Sequence, residues 1–234
     1  MIPSLELLRR HAVLSALDEH FARTLGRIGG ETNEAVILAA ALAASRVGES
    51  HVCLDLAEVA GRSPEAPEAE APLADYAFPA LAEWRELLDK SSLVSADGAP
   101  LVLDGTRLYL RRYHRYETEL ARQIRRRASE PALDVDQESL GRSLRRLFPE
   151  SGRGPSWQRV AAAVGLLRRF TVIAGGPGTG KTWTAARIVA LLVEQGLGRG
   201  VRPRIHLLAP TGKAAARLRE SIRESRDSLD CPEA

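Results

Sequence analysis

Cysteine is almost absent: Cys53 and Cys231 are the only two in 234 residues. Their separation fits no metal-ligand pattern, which excludes a disulfide scaffold or a cysteine metal centre and makes a reducing cytoplasm the expected location. Long apolar runs are missing too. No stretch approaches the ~20 residues of a membrane span, and the first segment, MIPSLELLRRHAVLSALDEHF, carries charge throughout, unlike the apolar core of a signal peptide. Aromatic residues make up only 5%. Lysine is scarce: Lys90, Lys181 and Lys213 are the only three among 33 basic residues. Where a chain that otherwise uses arginine keeps lysine, a compact, mobile ammonium is the reason to look for; Lys90 lies outside any motif, and the other two lie inside one.

What is present is an ordinary globular composition, 44% hydrophobic and 27% charged, long enough for one large domain or two modest ones. The formal charge of +3 conceals a split. Residues 1–100 hold 8 basic and 16 acidic side chains, whereas residues 107–169 hold 15 arginines against 7 acids, and 170–234 hold 10 basic against 6 acidic. Such asymmetry points to a polyanion partner for the later part and a different one for the first.

Periodicity predicts a helix over 4–25, a second, buried helix over 33–46 capped by Thr32, a short element at 51–60 and a helix near 81–88. GRSPEAPEAEAP reads as a solvated loop between them. Leu101-Val-Leu, Asp104-Gly105 and Thr106-Arg-Leu-Tyr-Leu carry a hairpin signal with Asp104-Gly105 as the turn pair. An arginine-rich helix over 113–127 and another over 136–147 follow, then Gly152-Arg-Gly-Pro155 as a linker. Beyond it the pattern becomes helix 156–168, strand 170–174, glycine-rich loop, helix 181–195, strand 204–209 and helix 212–226, the alternation of a parallel sheet with crossover helices. The expected fold is therefore mixed: a mainly α domain with a β-hairpin over 1–150, then an α/β P-loop domain over 151–234 that stops after its second strand–helix unit.

Gly175-Gly176-Pro177-Gly178-Thr179-Gly180-Lys181-Thr182 is a complete G-x-x-x-x-G-K-[ST] motif between an apolar β-rich run and a helix. Glycines let such a loop turn its N–H groups toward phosphate oxygens, and the helix dipole adds to the attraction. Lys181 is placed to reach the terminal phosphates of a nucleotide, and the Thr182 hydroxyl to ligate Mg²⁺; ATP and Mg²⁺ are the implied cofactors. Gln158, 17 residues upstream, offers the donor and acceptor needed to read an adenine edge, while Trp157 is expected to pack rather than to stack. Thr211-Gly212-Lys213 opens the last helix after Leu207-Leu-Ala-Pro; it is either a second phosphate-holding junction or an ordinary βα turn.

VIAGGPGTGKT followed by LLAPTGKAAARL resembles superfamily 1 DNA helicases, and the Gln158 helix is similar to their adenine-reading motif. HVCLDLAEV, PLVLDGTRLYLRRYHRYE and SWQRVAAAVGLLRRFTVIAGGPGTGKT resemble, more narrowly, the alpha-subunit family of the exodeoxyribonuclease V complexes. The resemblance implies the 5′→3′ helicase motor of a three-subunit enzyme that unwinds and degrades broken duplex ends during recombinational repair. It further implies single-stranded DNA at Thr211, Gly212 and Lys213, and an N-terminal domain that docks on the beta or gamma subunit. No Walker-B acidic pair follows on a further strand before residue 234, Asp227 and Asp230 sit in a polar tail, and no arginine finger is present. Phosphoryl transfer needs more than a phosphate cradle, so the expectation is a truncated product or fragment, inactive alone. Two other readings remain: a non-catalytic docking module, and a P-loop ATPase unrelated to DNA, such as a small-molecule kinase.

Overall fold

The computed structural model describes residues 1–65, 73–131, 135–149 and 154–227. Two helices open the chain, α1 (Leu5–Arg10) and α2 (Ala16–Gly29), where periodicity predicts one. The break arises at Ser15. Its hydroxyl accepts the Asp18 N–H at 3.2 Å while Asp18 Oδ2 accepts the Ser15 N–H at 2.9 Å, a reciprocal capping box that starts a new helix. Ala12 turns the chain through a left-handed φ of 56°. Leu8 and Leu14 are buried as the spacing predicts, but Leu17 is exposed, because the restart rotates the apolar face.

α3 (Glu34–Gly48) is capped by Asn33, not Thr32, through an Asn33 Oδ1 that accepts the Ala35 N–H at 2.9 Å. It buries Ala35, Val36 and every residue from Leu38 to Ala43, so it forms the axis of the first core. The segment predicted as one short element is β1 (Leu54–Asp55) running directly into α4 (Leu56–Val59). After α5 (Leu81–Lys90) and α6 (Ser92–Ser95) comes the hairpin, β2 (Leu101–Asp104) and β3 (Arg107–Leu110). The sheet is antiparallel in the order β1-β3-β2, with Leu54 opposite Leu108 and Leu101 opposite Leu110. Its turn pair is Gly105-Thr106, with Gly105 at φ 63°; Asp104 instead ends the strand opposite Arg107.

One side chain ties these elements together. Trp84 on α5 is fully buried, stacks on Phe78 at 5.9 Å and donates its indole N–H to the Ala35 carbonyl at 2.8 Å. Its polar edge is thereby satisfied inside an apolar core. Nearby, Glu31 accepts the Thr32 and Asn33 N–H groups at 2.9 and 2.8 Å and the Ser91 hydroxyl at 2.5 Å. Burial pushes its carboxyl pKa up, but these hydrogen bonds outweigh burial and hold it below the ordinary value.

α7 (Arg111–Ser129) has no buried residue, and the division of the chain into compact units, Met1–Ala121 and Arg122–Ala234, falls inside it. Within the second unit, α8 (Gln137–Leu147) packs with α9 (Trp157–Leu167) and α10 (Lys181–Leu197), and α10 also packs with α11 (Gly212–Asp227). Leu140, Leu147, Phe148, Ala162, Leu166 and Leu191 make its core. Residues 170–174 and 204–209, predicted as strands, form no strand among the described residues, and Val172 and Leu208 are exposed. A parallel strand is held by ladder bonds to a neighbour, and these two runs share none. The acidic stretch 66–72, the linker residues Gly152 and Arg153, and Asp230 and Cys231 lie outside the described residues.

Trp84→Ala is expected to lower the stability of the first unit by about 3–5 kcal/mol in denaturant unfolding, because cavity and orphaned carbonyl add to the lost burial. Glu31 binds its proton less readily folded than unfolded, so its contribution is present above the usual carboxylate range and is lost as pH falls through the folded value. Glu31→Gln is expected to flatten that acid limb in a pH series of melting temperatures.

Candidate nucleotide-binding site

The loop between residues 174 and 181 is shaped by two left-handed glycines, Gly178 at φ 75° and Gly180 at φ 80°. Gly180 is also the residue that enters α10, with no side-chain capping bond at that end. The first N–H groups of α10 are therefore not satisfied by a cap, and they lie where the helix dipole is positive. Thr179 steadies the turn by donating its hydroxyl to the Gly176 carbonyl at 2.9 Å. Lys181 folds back over the loop and donates its ammonium to the Gly175 and Gly176 carbonyls, each at 2.6 Å. Among the described residues the half-buried Thr182 hydroxyl has no protein partner, whereas Thr184 donates to the Gly180 carbonyl at 3.0 Å. An acceptor-rich anion and a hard cation both fit this donor set.

Gln158 belongs to the same constellation. Ser156 caps α9 by accepting the Arg159 N–H at 3.3 Å, which sets Gln158 in the first turn, and its Nε2 donates to the Thr179 carbonyl at 3.2 Å. A Cβ at Gly180 would lie 2.7 Å from that nitrogen, and one at Gly175 would lie 2.7 Å from Thr179 Oγ1. At Gly180 the left-handed φ itself favours glycine, and at both positions an added carbon would have to displace a side-chain end that braces the loop. Gln158 thus braces the loop's backbone as well as carrying an amide beside it.

Trp157 does not pack. It is 76% exposed and makes no ring contact among the described residues. The aromatic that does pack is Trp183, edge-on to Phe148 at 5.4 Å and covered by the Arg187 guanidinium at 3.4 Å from its ring centre. Arg187 is buried, donates Nε to the Leu147 carbonyl at 2.8 Å and leaves one terminal nitrogen without a partner. Burial lowers its pKa. Composition gave no sign of this buried cation; the Trp-x-x-x-Arg spacing, one helical turn, was the available signal.

At the third sequence-predicted position, Thr211 caps α11. Its Oγ1 accepts the Ala214 N–H at 3.2 Å, and its carbonyl accepts the Ala215 N–H at 3.0 Å. Gly212 and Lys213 stand exposed in the first turn. Lys90, the one lysine outside a motif, pairs with Glu86 on the surface at 2.5 Å. Among the described residues no cluster of histidine, cysteine, aspartate or glutamate could hold a metal ion by itself, and no helix is long and apolar enough to cross a membrane.

Two family models match the chain: the RecBCD enzyme subunit RecD N-terminal domain over residues 10–109, and an AAA domain over 158–229. The second match fits a P-loop fold for the unit that carries the loop. A RecBCD enzyme subunit RecD of Mycobacterium tuberculosis (strain H37Rv) is 40% identical over 223 residues, covering 93% of this chain and 35% of that protein. The subunit of the same name from Mycolicibacterium smegmatis is 40% identical over 222 residues, 93% of this chain and 36% of the relative. An ATP-dependent RecD2 DNA helicase of Deinococcus radiodurans is 34% identical over 133 residues, 56% of this chain and 17% of that helicase. The chain therefore spans about a third of the length of the RecD subunits that it matches over most of its residues.

Gly180→Ala is expected to cost about 1–2 kcal/mol of stability in the second unit, through the left-handed φ and the displaced Gln158 amide. Gly176→Ala, where the nearest side-chain atom is 4.0 Å from the added carbon, is the control and is expected to change unfolding far less.

Proposed function

The chain is related along nearly all of its length to the RecD subunits of RecBCD enzymes, and from that kinship we propose that it is the N-terminal part of an ATP-dependent 5′→3′ DNA helicase subunit. The parent enzyme in this reading is an exodeoxyribonuclease V complex that acts on double-strand ends in recombinational repair, in the cytoplasm, with RecB and RecC as the beta and gamma partners. The observation that carries the reading is the braced loop: a complete phosphate-loop motif whose turn is held by Thr179 and whose neighbour Gln158 bonds to its backbone.

ATP with Mg²⁺, when bound, supplies the phosphoryl group whose transfer to water drives strand movement. The residues of this chain do the holding. The Gly175–Gly180 backbone and the start of α10 would receive phosphate oxygens, the Lys181 ammonium, now on the Gly175 and Gly176 carbonyls, would turn to the terminal-phosphate charge, and the Thr182 hydroxyl would be a Mg²⁺ ligand. Gln158 keeps the loop in register while its amide oxygen, unpaired among the described residues, remains for a base edge. Thr211, Gly212 and Lys213 are assigned to single-stranded DNA, with the Thr211 cap fixing the start of α11. The sequence boundary at 150 shifts with the packing of α8 on α9 and α10: the unit Met1–Ala121 is assigned to partner docking and Arg122–Ala234 to the nucleotide domain. The loop, Lys181 and Thr182 supply a phosphate cradle, and no acidic pair on a further strand follows them in the sequence given.

Residues 1–234 are accordingly expected to bind Mg·ATP without measurable turnover, and Lys181→Ala to weaken that binding by about tenfold or more in equilibrium titration. Unchanged affinity in that variant would remove the assignment. The excess of arginine after residue 106 leads to a second expectation: affinity for single-stranded DNA declines linearly with rising salt on logarithmic axes and varies little with sequence. A flat salt response would exclude phosphate neutralisation as the mode of binding.

A further inference from the structure

The chain has three tryptophans, and the fold explains two of them. Trp84 is buried with its indole N–H bonded, and Trp183 lies between Arg187 and Phe148. Trp157, in the first turn of α9, has no ring partner and no side-chain hydrogen bond among the described residues and stands 76% exposed. A large π-face left in water beside a phosphate loop calls for a ligand with a π-face of its own.

We propose that Trp157 is the base platform of the nucleotide site: its indole stacks against the purine of the nucleotide whose phosphates the 175–182 loop holds. This rests on the reading of that loop as a nucleotide site. Three observations carry it. The first turn of α9 lies against the loop, since Gln158 Nε2 bonds to the Thr179 carbonyl at 3.2 Å and a Cβ on Gly180 would come within 2.7 Å of the same nitrogen. Successive helical residues project about 100° apart, so with Gln158 turned to the loop, Trp157 stands at its flank on the same turn. Gln158 Oε1 is without a partner among the described residues, leaving an acceptor for an exocyclic amine next to a stacking surface; the pair together suits adenine better than a base-free phosphate.

Val160, Val164 and Leu167 follow Trp157 at helical spacing on the same side of α9, so an apolar strip for a neighbouring protein element is the competing explanation. Those three are 37–41% exposed, already half covered, whereas Trp157 stands clear of its surroundings.

The test compares Mg·ATP with Mg·tripolyphosphate, which offers the loop its phosphates without a base, on residues 1–234. Trp157→Ala is expected to weaken ATP about tenfold and to leave tripolyphosphate unchanged, while Trp157→Phe, which keeps a stacking ring, stays within about threefold of the native affinity. ATP is expected to quench indole emission beyond any effect of tripolyphosphate, and that extra quench to vanish in Trp157→Phe although Trp84 and Trp183 remain. Equal loss of both ligands, unchanged ATP affinity in Trp157→Ala, or an extra quench that survives without Trp157 overturns the proposal and returns the indole to the apolar strip. Native protein that binds tripolyphosphate as tightly as ATP overturns the platform and leaves the loop assignment standing. Native protein that binds neither overturns both.

Discussion

A helix start that the protein declines to cap with a side chain sets the geometry of the second unit. α2, α3, α8 and α9 each begin with a side-chain oxygen that accepts an N–H of the first turn, from Ser15, Asn33, Asp136 and Ser156. α10 begins instead at a left-handed glycine. Unbonded N–H groups are tolerable only where water or a ligand can reach them, so this end of α10 must face outward and the loop before it must stay exposed, as it does. Exposure in turn forbids the loop a core of its own, and its shape has to come from polar braces: Thr179 on Gly176, Lys181 on Gly175 and Gly176, Gln158 on Thr179. A side chain at 175 or 180 would push against those braces, and the left-handed φ of Gly180 adds a backbone reason for glycine there.

The first unit solves a different problem. With no metal-holding cluster of side chains and no disulfide among its described residues, it is organised on one nearly all-apolar helix as an axis, around which α2, α5 and the hairpin pack. Small residues make that possible: five alanines of α3 are buried, and Gly26 on α2 would meet Ile37 at 3.1 Å if it carried a Cβ. Trp84 then fixes how α5 lies on the axis, because its N–H has one acceptor, the Ala35 carbonyl.

Much of this was legible in the sequence, and the misses have causes. The α3 segment, the hairpin and the helices after residue 110 follow from periodicity and turn residues, since local spacing and capping govern them. One helix was expected over 4–25 because apolar spacing runs smoothly across Ser15; the capping box there outweighs it. The Asp-Gly pair predicts a turn at 104–105, whereas pairing of Asp104 with Arg107 leaves Gly105-Thr106 to turn. The phosphate-loop motif and Gln158 could be named from sequence, and the structure adds that Gln158 touches the loop. The packing role expected for Trp157 belongs to Trp183, a distinction that depends on tertiary contacts with Phe148 and Arg187 and that no local pattern contains. Apolar runs alternating with helices predict strands at 170–174 and 204–209, but a strand is defined by its neighbour, and these segments do not pair with each other.

The double attachment of α10 to α8 has a mechanical side. Arg187 reaches the Leu147 carbonyl at the end of α8, and Gln195 exchanges two hydrogen bonds with the backbone of Asp136 at its start. The two anchor points lie eight residues apart on α10, about 12 Å along its axis. A rod held at two separated points can neither twist about its axis nor slide along it without dragging its partner. Any push delivered at Lys181 therefore arrives at Asp136, some 14 residues down the rod or about 21 Å away, as motion of the α8–α10 pair as a whole. The phosphate loop sits at the tip of a stiff lever two helices thick, and what moves there is geared to the far end of that lever.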